Sequence, residues 1–199
     1  MMLTIPIVWL GAYLIGSLNS ARIVCAAFQL PSPTTIGSGN PGTTNVLRLG
    51  GKVPALITLI GDVLKGVIPP VIAYSLSLNL CSVTIAAFLA VFGHMYPIFY
   101  RFQGGKGIAT FIGSLFAIAL WIGILFVVTW LLVALIWRYS SLAALCATAM
   151  VAFAVSIVWL NVSAVPITLA AVLIFWRHRG NIQRLFTGQE DQIGQSRKG

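Results

Sequence analysis

Between Gly37 and Arg48 the chain reads GSGNPGTTNVLR, a run of glycine, proline, hydroxyls, amides, two aliphatics and one arginine in a chain that is 59% hydrophobic. Such a segment has little to bury, yet it offers many backbone N–H groups and a cation. Glycine-rich turns let successive N–H groups face an anion. Ser38, Gly39, Thr43, Thr44 and Asn40 or Asn45 would add neutral donors, and Arg48 a planar fork matched to phosphate. A second segment, GHMYPIFYRFQGGKGIAT, carries Gly104, Gly105 and Lys106 straight into an apolar run, so an anion held there would also meet a helix N-terminus. It is not a nucleotide-binding P-loop, because the Gly-Lys-Ser/Thr element is incomplete and no strand precedes it. A third is RHRGNIQRL, which carries His178, and a short fourth is RYSSL.

Any one of these segments is also what a membrane protein shows to anionic lipid. Polar groups gathered near a bilayer must be satisfied by protein, water or ligand, so four such loops on one face point to a shared phosphate site. Other chemistry has little material. The acids are Asp62, Glu190 and Asp191, the last two in a tail read as mobile, so neither a paired-carboxylate mechanism nor a magnesium site is expected. His94 and His178 do not complete a metal cluster, and no Ser-His-Asp arrangement is legible. His178, flanked by two arginines, suits either a base or phosphate donor or a residue reaching to the membrane interface. Cys25, Cys81 and Cys146 lie in apolar surroundings without pairing or metal spacing and read as packing residues.

The elements that must position these loops are membrane helices. Only 8% of residues are charged, where soluble domains carry roughly a quarter, and mean hydropathy is +0.98. The N-terminal apolar run lacks the basic flank of a secretory signal, its first cation being Arg22, and reads as an uncleaved first span. Apolar stretches cover about 2–21, 53–92, 107–137 and 142–176. A bilayer core needs about 20 helical residues, so each of the last three reads as a pair of helices. The far-side turns are expected near Asn79, near Trp121 to Gly123, and near Asn161. Seven spans then put Arg22, Arg48, Lys52, Arg101, Lys106, Arg138 and the cluster Arg177, Arg179, Arg184, Arg197 and Lys198 on one face, as the positive-inside rule asks. The excess of 12 basic over 3 acidic residues thus reports orientation and anionic partners in the membrane, not nucleic acid.

The expected architecture is all-α: a polytopic bundle of seven transmembrane helices, N-terminus outside and C-terminus cytoplasmic. It forms one domain, 1–199, with cytoplasmic motif loops at about 31–52, 93–107, 138–141 and 177–199. Within it Asp62 and Lys65, at i and i+3, share a helix face. They read as a neutralising pair, with Asp62 also able to reach an arginine of the first loop.

In their order and spacing, GSGNPGTTNVLR, GHMYPIFYRFQGGKGIAT and RHRGNIQRL closely resemble the motifs of the bacterial acyl-phosphate:glycerol-3-phosphate acyltransferases, over essentially the whole chain. The resemblance implies transfer of an acyl group from acyl phosphate to the 1-hydroxyl of glycerol 3-phosphate, giving lysophosphatidic acid and phosphate. It also implies a bacterial inner-membrane location with a cytoplasmic active site, no cofactor and no metal. It leaves room for hand-over with the enzymes that make acyl phosphate and add the second acyl chain. By motif position it assigns phosphate or catalytic roles to Ser38, Asn40, Thr44, Arg48, Gly104, Gly105, Lys106, Ser141, His178 and Asn181. The base is then His178 or a phosphate oxygen of the substrate. Three positions depart from the family pattern: SPTTI stands where an Asp-x-Arg is common, GSLNSA lacks a proline, and Gly180 replaces a frequent acid. The sequence alone leaves acyl-CoA or acyl-carrier protein open as donor. A transporter of a phosphorylated metabolite fits less well, since no repeat is visible and the polar groups lie on one face.

Overall fold

A computed structural model describes residues 3–194, so Arg197 and Lys198 lie outside the described residues. Ten helices are described and no strand: α1 (Thr4–Gly16), α2 (Ser20–Ala27), α3 (Thr43–Gly50), α4 (Lys52–Ser75), α5 (Leu80–Met95), α6 (Ile108–Ile118), α7 (Leu120–Trp137), α8 (Ser140–Val158), α9 (Val165–Arg177) and α10 (Arg179–Phe186). Four of them, α4, α5, α7 and α8, are long and apolar enough to cross a membrane. The bent pair α1 and α2 makes a fifth candidate, and α6 and α9 are shorter apolar helices. Leu132, Leu135 and Ile136 of α7 are each more than half exposed, which suits a lipid-facing surface and would be costly in water.

The turns expected near Asn79 and Asn161 fall where the chain breaks between α4 and α5 and between α8 and α9. Two expected boundaries shift. The break in 107–137 comes at Ala119, an extended residue between α6 and α7, two positions before the expected Trp121. The first span is not one continuous helix: α1 ends at Gly16, α2 begins at Ser20, and their axes bend by 43°. The side chain of buried Asn19 accepts the N–H of Arg22 and so caps α2, which restarts the helix in a new direction. The motif loops also hold helix that their glycines and polar residues concealed, α3 within 31–52 and α10 within 177–199.

Close packing follows from small residues. Gly66 of α4 and Gly113 of α6 each face the other helix's backbone so closely that a Cβ would collide with it, at Thr110 and Val63 respectively. Pro70 cannot donate to the carbonyl of Gly66, four residues earlier, and the Ser114 hydroxyl of α6 donates to that carbonyl at 3.0 Å. The proline in α4 thus frees an acceptor that ties α4 to the short helix α6.

The bend in the first span is secured from α4. Lys65 Nζ donates to the Leu18 carbonyl, left without a helical partner in the break, at 2.6 Å. It also pairs with Asp62 Oδ1 at 2.8 Å, as the i, i+3 spacing predicts, and the side chains are 5% and 3% exposed. Among the described residues Asp62 meets no arginine; His94 Nδ1 of α5 lies 3.6 Å from the same carboxylate oxygen. Asp62→Asn should therefore cost roughly 3–5 kcal/mol of stability by leaving Lys65 uncompensated in low dielectric. Thermal melting in detergent should show a large loss, while turnover per folded molecule stays within a few-fold of wild type.

Candidate active site

The three motif segments and the RYSSL turn meet at one end of the bundle. Lys106, just before α6, donates from Nζ to Asn181 Oδ1 of α10 at 2.6 Å. Asn181 Nδ2 donates to Glu190 Oε1 at 2.6 Å, and Ser141 Oγ donates to the same oxygen at 2.6 Å. Arg184 Nε reaches Glu190 Oε2 at 2.7 Å, and Arg48 Nη2, at the end of α3, reaches Asp191 Oδ2 at 3.1 Å. Arg48, Lys106, Ser141 and Asn181 are thus brought together. Ser38, Gly39 and Asn40 sit on the segment entering α3 and Thr44 in its first turn, and the Pro41 carbonyl of that segment packs on Gly105. Among the described residues the side chains of Ser38, Asn40 and Thr44 make no hydrogen bond, and Ser38 and Thr44 are exposed.

Glu190 and Asp191 are not in a mobile tail but among these donors, because the chain after α10 is strapped onto the α7–α8 corner. The Ile193 N–H donates to the Arg138 carbonyl at 2.7 Å, Arg138 Nη2 to the Ile193 carbonyl at 3.2 Å, and Gln192 Nε2 to the Tyr139 hydroxyl at 3.3 Å. Nothing in GQEDQIG announces this, since its anchors are backbone groups and residues some fifty positions away.

The second motif owes its shape to contacts from below. Gly104 and Gly105 pack on the end of α5 so closely that a Cβ on either would collide, with the His94 carbonyl for Gly104 and His94 Nε2 for Gly105. The Gly105 N–H donates to the His94 carbonyl at 3.2 Å and is therefore engaged within the protein. From above, Arg177 donates to the carbonyls of Gly104 and Gly105, and its guanidinium lies 5.5 Å from the centre of the Tyr96 ring. In the sequence Arg177 is only a positive charge beside His178; the Gly-Gly turn it clamps lies some seventy positions away. Asn45 likewise proves to be a tie. Its amide donates to the Pro33 and Ile36 carbonyls at 2.8 and 3.0 Å and accepts the Ser38 N–H at 3.1 Å, leaving no donor for an anion. These bonds hold the 31–36 segment in place without the acidic and basic residues that the family pattern places there.

Electrostatics separates the two titratable candidates. Burial, opposed by Glu190 but reinforced by Arg184, Arg177 and Arg48, lowers Lys106 to about 8. Burial and the adjacent Lys106 charge lower His178 to about 4. His178 Nδ1 lies 2.8 Å from the Ile174 carbonyl, which only accepts, so Nδ1 carries the proton and Nε2 the lone pair. Glu190 is held below the usual carboxylate range: burial opposes this, but the bonds from Ser141, Asn181 and Arg184 prevail.

The fold and site together define a helical membrane protein with cations and neutral donors converging at one end and carboxylates seated among them. Comparison with known proteins gives the family. The glycerol-3-phosphate acyltransferase family model matches residues 6–188. A glycerol-3-phosphate acyltransferase of Francisella tularensis subsp. novicida is 55% identical over 187 residues, covering 94% of this chain and 92% of its own. One of Francisella philomiragia is 54% identical with the same coverage. Crystal structures of PlsY (YgiH), an integral membrane glycerol 3-phosphate acyltransferase, superpose in the glycerol 3-phosphate form with a TM-score of 0.90 and in the lysophosphatidic acid form with 0.88. Both are 34% identical to this chain and cover 96% of each chain. The chain belongs to the glycerol-3-phosphate acyltransferase family and is an acyltransferase.

Lys106 is cationic below about pH 8 in the substrate-free protein. If it acts as an ammonium, kcat/KM, which reports the free enzyme, should fall as pH rises through about 8. Lys106→Arg, whose charge does not titrate, should remove that alkaline limb even where its activity is reduced.

Proposed function

We propose that this protein transfers an acyl group from acyl phosphate to the 1-hydroxyl of glycerol 3-phosphate, giving 1-acylglycerol 3-phosphate and inorganic phosphate for phospholipid synthesis. The observation that carries the reading is the seating of two carboxylates, Glu190 and Asp191, among Lys106, Asn181, Ser141, Arg184 and Arg48. Donors that hold two carboxylates also suit substrate phosphates. The family match and the relative's glycerol 3-phosphate and lysophosphatidic acid forms support the acceptor and the product.

In this reading the substrate phosphates lie between the segment entering α3 and the Lys106–Asn181–Ser141 group. Ser38 and Thr44 supply exposed hydroxyls on one side, half-buried Asn40 an amide, and Gly39, whose N–H is bonded to the Ile36 carbonyl, the turn between them. Arg48 supplies a fork, Lys106 a point charge, and Gly104 and Gly105 the turn that carries Lys106. The 1-hydroxyl oxygen attacks the acyl carbon, the acyl–oxygen bond to phosphate breaks, and its electron pair leaves with the phosphate. An acyl phosphate is already activated, so the protein's share is to align two dianions and stabilise developing charge. The hydroxyl proton passes to a phosphate oxygen of a bound substrate. A phosphate monoester oxygen has a pKa of about 6 and is the stronger base than His178 at about 4. His178, neutral and tautomerically fixed, then acts as a hydrogen-bond partner.

The acyl chain enters from the bilayer between helices, where burial contributes roughly 0.8 kcal/mol per CH₂. In this reading the shorter α6 and α9 cross the membrane along with the four long helices and the bent α1–α2 pair, for seven spans in one domain. The basic residues then place all motif segments on the cytoplasmic side of a bacterial inner membrane. The motif segments are short for docking a nucleotide or a carrier protein, which favours acyl phosphate over acyl-CoA or acyl-carrier protein.

With the purified protein, phosphate release should match lysophosphatidate formation one for one and persist in EDTA. Robust activity with acyl-CoA, or abolition by the chelator, would overturn the donor assignment. Orientation is tested separately. Gln103→Cys and Gln189→Cys, both exposed and placed in a background without Cys25, Cys81 and Cys146, should escape an impermeant thiol reagent in intact cells and react after permeabilisation. Labelling of either from outside would reverse the topology.

A further inference from the structure

We infer that Glu190 is a positioning residue that orders Ser141 and Asn181 and, through Asn181, aims the Lys106 ammonium. The role follows from what each group can do as donor or acceptor. An ammonium only donates, so the atom of Asn181 that meets Lys106 Nζ at 2.6 Å must be the carbonyl oxygen. That turns the amide nitrogen of Asn181 the other way, where it requires an acceptor. A carboxylate only accepts, and Glu190 Oε1 stands there at 2.6 Å. The same oxygen takes the Ser141 hydroxyl proton at 2.6 Å and so fixes the rotation of that hydroxyl. The second oxygen is occupied by Arg184 Nε at 2.7 Å. Removing this acceptor would free the Asn181 amide to flip, presenting its NH₂ to the ammonium, donor against donor.

The arrangement is built rather than incidental. The Glu190 side chain is only 9% exposed, and its backbone is tied on both sides: the Gln189 and Glu190 N–H groups donate to the Arg184 carbonyl, and Ile193 is held by Arg138. Glu190 is also the negative neighbour among charges that otherwise oppose Lys106 protonation. Arg184, Arg177 and Arg48 all disfavour a further positive charge there, and neutral His178 adds none.

The activity readout rests on the proposed acyl transfer; a second readout does not. Two variants separate charge from reach: Glu190→Gln keeps the length and loses the charge, while Glu190→Asp keeps the charge and shortens the arm. In Glu190→Gln, kcat/KM should fall about tenfold or more. Its alkaline limb should move to lower pH by about half a unit or more, because losing the negative neighbour lowers Lys106 further. Glu190→Asp should lose activity with a smaller shift of that limb. Independently of substrate, the pH dependence of Lys106 modification by a small amine reagent, read by mass spectrometry on the full-length protein in detergent, should show the same shift in Glu190→Gln. If wild type fails with acyl phosphate, the reaction assignment fails while the Lys106 titration still tests Glu190. An unchanged Lys106 titration in Glu190→Gln would overturn the inference. So would a lower KM for glycerol 3-phosphate at unreduced kcat, which would make Glu190 a competitor for the phosphate site. Should Glu190→Gln not fold, Glu190→Asp carries the test: wild-type kcat/KM in that variant would overturn the role.

Discussion

A single buried ion pair ties the membrane-embedded half of this protein to its polar end. Lys65 and Asp62 neutralise each other on α4, and what they touch gives the pair its consequence. The lysine occupies the Leu18 carbonyl in the break of the first span, while the aspartate faces His94 at the end of α5. A broken helix in a bilayer exposes backbone groups that lipid cannot satisfy, so the bend requires such a partner. His94 then forms the floor on which Gly104 and Gly105 rest, and Arg177 clamps their carbonyls from the other side. Lys106 is the next residue. The position of the central cation therefore depends on contacts running from the first span through α4 and α5.

Above that floor the site is a sequence of alternating donors and acceptors. Lys106, Asn181, Glu190 and Ser141 form a chain in which each group's chemistry dictates the orientation of the next. Such an arrangement is costly if any member is lost, because a half-satisfied polar network in low dielectric is worse than none. It also limits the reorganisation needed when charge develops during acyl transfer. The low pKa of His178 belongs to the same balance: beside a buried ammonium the imidazole stays neutral, which suits it to hydrogen bonding and leaves proton acceptance to a phosphate.

Glycine serves two separate purposes in this chain. In the bundle, Gly66 and Gly113 let α4 and α6 approach backbone to backbone, which allows a helix of only 11 residues to be anchored firmly. In the second motif, Gly104 and Gly105 let the turn descend onto His94. The Gly105 N–H is then spent on a carbonyl, so that residue contributes shape where a nest of free donors was expected.

Apolar run length and the placement of basic residues already indicated an all-helical membrane chain, and the turns near Asn79 and Asn161 were legible because polar residues interrupt apolar ones there. The pairing of Asp62 with Lys65 was legible too, since i, i+3 spacing is a local property of a helix. Arg48 and Lys106 stand out as cations in a chain with 8% charge, while Ser141 and Asn181 are picked out only by the resemblance to the family's motifs. Tertiary structure alone decided what those groups meet. The bend at Ser17 to Asn19 is held by a lysine some forty-seven positions away, and the amide of Asn45 is spent on its own loop. Arg177 became a clamp, and Glu190 moved from an apparently free tail into the centre of the site. Periodicity and composition report how a residue relates to its near neighbours. Whether a donor is free, and which acceptor it finds, is set by contacts between distant segments, and those exist only once the bundle has packed.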